Sequence, residues 1–75
     1  MQSIFDVKKQ ELKTLLKNKL NDGLNNVVDK ITDYNSLLNV IMFTKNMKSK
    51  NKKDYIDIIE FYLEGQPKPD KLNKE

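Results

Sequence analysis

Between positions 4 and 63 the apolar residues recur at helical spacings. In the first segment they stand at Ile4, Phe5, Leu12, Leu15, Leu16 and Leu20. Placed on a helix they span an arc of about 160°, the one-sided stripe of an amphipathic element. Ser3 is a suitable N-cap, and Asp6 suits the first turn. Asp22-Gly23 follows, and glycine is the usual residue just past a helix end. A second group, Leu24, Val27, Val28 and Ile31, has i, i+3, i+4, i+7 spacing. Drawn on one continuous helix it would be rotated by about 100° from the first stripe. A break at Gly23 is therefore expected, with a single helix over 4–31 as the alternative.

Thr32-Asp33 offers the next N-cap, for a helix over 34–47. Tyr34, Leu37, Leu38, Ile41 and Met42 share one face, and Val40, Phe43 and Met47 share another. The combined arc is about 260°, too wide for an ordinary surface helix. Lys48-Ser49-Lys50-Asn51-Lys52-Lys53 reads as the next connection, with Ser49 or Asn51 as a cap. The last helix, from Lys52 to Glu64, has Tyr55, Ile56, Ile58, Ile59, Phe61, Tyr62 and Leu63 over about 220°. Asp54, Asp57, Glu60 and Glu64 share what remains, and their helical spacing excludes a strand. Gly65, Pro67 and Pro69 stop the helix. The pattern predicts an all-α fold, a compact bundle of three to four short helices. Residues 1–65 form its single domain, and 66–75 form a disordered C-terminal tail containing Pro and Lys.

Composition then removes most chemistry. The 75 residues include no Cys, His, Trp, Arg or Ala. Disulfides and zinc sites are excluded. Ser3, Ser36 and Ser49 lack a histidine to activate them. Two glycines cannot build a phosphate loop, and the carboxylates lack the spacing of a calcium loop. The expectation is a non-enzymatic protein with no cofactor, metal or small-molecule substrate. No apolar run approaches the length of a transmembrane helix, and the N-terminus lacks the form of a secretory signal. A cytoplasmic location is expected. Lys8, Lys13 and Lys17 lie among leucines, but Asp6, Glu11 and Asp22 mix the charge, so membrane association is not expected. Fourteen lysines and nine asparagines, with no Arg or Ala, suggest an AT-rich coding sequence.

The net charge of +3 is unevenly spread. Residues 48–53 carry +4, and 54–65 carry −4. Lys48, Lys50, Lys52 and Lys53 are candidates for non-specific contact with nucleic-acid phosphates. Against this, Lys50 with Asp54 and Lys53 with Asp57 are i, i+4 pairs that would neutralise part of the loop. Sequence-specific reading of DNA is not expected. There is no arginine, and a helix-turn-helix over 24–31 and 34–47 would present an apolar recognition helix.

The wide apolar arcs are the strongest signal. Only one other amphipathic helix is available to cover two nearly all-apolar ones. Val40, Phe43 and Met47 on one helix and Ile56 and Leu63 on the other are therefore candidate protein-interface residues, for a partner or a homodimer. Phe43 lies opposite Tyr34 and Leu38 on the wheel, so one of these faces should look away from the core. The expected role is a small regulator or inhibitor acting by protein–protein interaction, with a nucleic-acid accessory role as the alternative. In size, lysine content and lack of chemistry the chain is similar to small phage or plasmid effectors and bacteriocin-immunity bundles.

Overall fold

A computed structural model describes residues 3–65 of the chain. The expected tail, 66–75, lies outside the described residues. The rest is all-α, as the apolar periodicity predicts, with four helices and no strand among the described residues. Helix α1 runs Ile4–Leu20, α2 Asn25–Val28, α3 Tyr34–Asn46 and α4 Lys52–Gly65.

Local chemistry sets most of these boundaries. Ser3 Oγ accepts from the Asp6 N–H at 3.1 Å and opens α1. Asp33 Oδ2 accepts from the Ser36 N–H at 3.0 Å and opens α3, while the Ser36 hydroxyl donates to the same oxygen. Asn51 Oδ1 accepts from the Lys53 N–H at 3.0 Å at the start of α4. The chain breaks between α1 and α2, but the left-handed residues are not the glycine. They are Asn21 (φ 62°) and Leu24 (φ 49°). Asn21 ends α1, its N–H returning to the Lys17 carbonyl at 2.8 Å. Leu24 is a bulky residue in a region that costs it roughly 1–2 kcal/mol. Its side chain is only 8% exposed. Burying a leucine is worth about 1.5–3 kcal/mol, enough to hold the strained backbone. The Asp22 carboxylate fixes the turn further by accepting from the Leu24 N–H at 2.9 Å.

Gly23 is needed for space. A Cβ there would lie 2.7 Å from Asn25 Oδ1 and 3.3 Å from the Lys13 carbonyl oxygen.

Helix α3 packs against both α1 and α4, and α2 closes against α1 and α4. The core contains Leu12, Leu16, Val28, Leu37, Ile41 and Ile59, with Ile31 and Tyr55 equally buried. Val40 belongs to this core too, with none of its surface exposed. Its assignment to an outward interface face is corrected here. With neighbours on two sides, the buried direction of α3 runs through Leu37, Val40, Ile41 and Thr44. Tyr34, Met42 and Phe43 are left at the exposed margins. Thr44 and Ser36 are buried as well, and among the described residues every buried side-chain polar atom has a partner.

Candidate interaction surface

On α4 the residues facing the core are Tyr55 and Ile59, with Tyr62 and Leu63 packed against them one turn later. Phe61, two residues beyond Ile59, is rotated by about 200° from it. It is 70% exposed, the most exposed large apolar side chain among the described residues. On α3, Phe43 is 44% exposed. The two rings meet through Tyr62. Phe43 and Tyr62 have centroids 6.2 Å apart, and Phe61 stands edge-on to Tyr62 at 5.4 Å. With Ile58 and Asp57 these rings line a shallow groove of about 220 Å³. That is below the usual range for small-molecule pockets, roughly 300–1,000 Å³. It is large enough for an apolar side chain of a macromolecular partner. On the other side of Phe61 and Tyr62 a second concavity is lined by Asp33, Asn39 and Glu64 among others.

Of the residues proposed from sequence as an interface, Phe43 alone is exposed and lines this groove. Met47, Ile56 and Leu63 are half-buried and pack on the core. Ile56 also borders a polar concavity at the Asp22–Val27 turn. Phe61 and Ile58 were not among those candidates. A signal for Phe61 was present: on the wheel it falls within the stripe of Asp54, Asp57, Glu60 and Glu64. A large aromatic inside an otherwise acidic face has no core to enter.

The lysines divide. Lys52 and Lys53 are in the first turn of α4, which begins at Lys52 as expected. Lys52 Nζ lies 2.9 Å from Asp22, and Lys53 Nζ lies 2.9 Å from Asp57. Lys48 and Lys50 are exposed and form no ion pair among the described residues. The expected Lys50–Asp54 pair is not made. The Ser49 hydroxyl donates to Asp54 instead, at 2.5 Å. The connection is tied down at two carbonyls. The Tyr55 hydroxyl donates to Ser49 O at 2.6 Å, and Lys19 Nζ donates to Met47 O at 2.7 Å.

Ion pairs shape the titration of the other acids. Lys8 and Lys45 hold the Glu11 carboxyl below its usual value, and Lys13 does the same for Asp29. Lys52, helped by the Leu24 N–H, lowers Asp22. The Asp57 carboxylate raises Lys53, and the charges of Asp54 and Glu60 add to that. Glu60 and Glu64 form no ion pair among the described residues.

No family model, curated protein or solved structure matches the chain. Among the described residues no helix is long and apolar enough to cross a membrane.

Proposed function

We propose that this is a small non-enzymatic binding protein. It would act as a regulator or inhibitor by engaging another protein, or a second copy of itself, through the groove between α3 and α4. The observation that carries this reading is the pairing of Phe61, 70% exposed, with the half-exposed Phe43 around one groove. Full burial of such a side chain is worth about 1.5–3 kcal/mol, so the part still exposed leaves roughly 1–2 kcal/mol to be gained at Phe61 and about half of the full value at Phe43. Aromatic side chains clustered around a recess are the usual anchors of protein–protein binding energy.

A second reading rests on Lys48 and Lys50, the two members of the basic stretch without an ion pair among the described residues. Two phosphate contacts would give a salt slope of only about −2, so this reading supports weak, non-specific association with nucleic acid.

One experiment tests both. The full chain and its Phe43→Ser and Phe61→Ser variants are immobilised and exposed to a lysate of the source cells at low and high salt. A protein kept by the wild type at high salt and lost by both variants supports the groove. Nucleic acid lost at high salt and unaffected by either substitution supports the lysines. Equal retention by all three proteins refutes the groove.

A further inference from the structure

We propose that the occupant of this groove is a cationic segment of another protein, with one or two apolar anchors flanked by Lys or Arg. The inference rests on the groove being a binding surface and adds the chemistry of what it binds. The rim is acidic. Asp57 lines the groove itself, and Glu64 lines the concavity on the far side of Phe61 and Tyr62. Glu60 is exposed on the same helix, next to Phe61 in sequence.

Glu60 and Glu64 are placed where they weaken their own helix. They are an i, i+4 pair of like charge, which is destabilising. Glu64 stands in the last turn of α4, where the helix dipole favours cations, and no basic residue occupies that turn. Several other acids have lysines in place: Glu11 has Lys8 and Lys45, Asp29 has Lys9 and Lys13, Asp22 has Lys52, and Asp57 in the groove has Lys53. Among the described residues Glu60 and Glu64 have no such lysine, and they lie on the same helix as the most exposed aromatic ring. A cationic partner would relieve the repulsion between Glu60 and Glu64 while filling the recess.

The same charges argue against a second copy. A two-fold dimer would bring this rim against itself, setting Glu60 and Glu64 of one chain against those of the other. Pairing the groove with the lysines at 48–53 of another copy would be head-to-tail and would leave each end open. They argue equally against an anionic surface such as a phospholipid headgroup layer.

The test uses the full chain, isotope-labelled for NMR, and two synthetic peptides of roughly 16 residues, long enough for helix formation. Both carry the same Leu/Phe face; one has Lys at every other position, the other Glu. The Lys peptide is expected to shift the amide signals of Phe43, Ile58, Phe61 and Tyr62. Phe61→Ser should weaken it by about tenfold or more. The double variant Glu60→Lys/Glu64→Lys should also bind it more weakly and should prefer the Glu peptide. That variant should melt at the same temperature as the wild type or a few degrees higher, so its loss of binding cannot be a loss of folding. If both peptides shift the groove equally, the cationic partner is overturned and the groove stands. If neither peptide shifts it, or the shifts fall elsewhere, both are overturned. Two further results would overturn the proposal by naming another occupant. One is movement of the Lys68–Lys74 signals on Phe61→Ser alone, which assigns the groove to the chain's own C-terminal segment. The other is a wild-type dimer in sedimentation that Phe61→Ser abolishes, which assigns it to a second copy.

Discussion

Replacing Tyr55 with phenylalanine removes one oxygen where the core meets the α3–α4 connection and changes little else. The side chain is 1% exposed, and its ring lies in the core between α4 and its neighbours. Its hydroxyl donates to the Ser49 carbonyl at 2.6 Å, which ties the α3–α4 connection to the core. Tyr55→Phe keeps the ring and deletes the donor. The half-buried Ser49 then loses the donor to its carbonyl. The net loss should be about 1 kcal/mol, within a range of roughly 0.5–1.5. For a domain of this size that corresponds to a melting temperature lower by about 4–8 °C. Tyr62→Phe is the control. Its hydroxyl has no hydrogen-bond partner among the described residues, so its stability should stay within about 0.5 kcal/mol of wild type. Thermal and urea unfolding followed by circular dichroism measure both. Alkaline pH offers an independent check. Burial, with the Asp54 charge adding to it, raises the Tyr55 phenol above its ordinary value of 10.0. Folding therefore favours the protonated phenol, and the unfolded chain gives up this proton first. The stability Tyr55 contributes is complete below pH 10.0 and falls as pH rises past it. Wild type should lose more stability above that pH than Tyr55→Phe does. Two results would refute the reasoning: a substitution that costs nothing, or variants with identical alkaline profiles.

Three further outcomes are expected. The lysine partners of Glu11, Asp29 and Asp22 lower carboxyls whose ordinary values are 4.5, 3.8 and 3.8, so the stability they add is present above those values and is lost as pH falls through and below them. The urea midpoint should therefore drop between about pH 6 and about pH 3, and added salt of about 0.5 M should shrink the difference. Gly23→Ala should destabilise by about 1 kcal/mol, because the new Cβ meets the Lys13 backbone carbonyl at 3.3 Å, while Gly65→Ala, with nothing within 4 Å, should be neutral or stabilising by up to about 1 kcal/mol in the same unfolding assay. Lys48→Gln with Lys50→Gln should leave stability within about 0.5 kcal/mol; absence of any nucleic-acid shift by the wild type in about 50 mM salt would retire the phosphate-binding reading.

What the amino-acid order determined by itself was local. The Ser3 and Asp33 caps, the helical periods and the Lys53–Asp57 pair each involve residues within four positions of one another, so the chain specifies them before it has a tertiary structure. Which way each helix faces was a different matter. A helical wheel supplies angles between residues but not the direction of the core. Val40 and Phe43 looked equivalent on it, yet α3 packs on both α1 and α4, so Val40 is enclosed while Phe43 remains at the margin. The break near Gly23 was legible. Its strained residue was not, because the conformation of Leu24 is held by burial of its side chain under other parts of the chain. Lys52–Asp22, Lys19–Met47 and the Phe43–Phe61 groove join positions 18 to 30 apart in the chain. No local pattern encodes such separations, and only the packing of α1, α3 and α4 brings these groups within reach of one another.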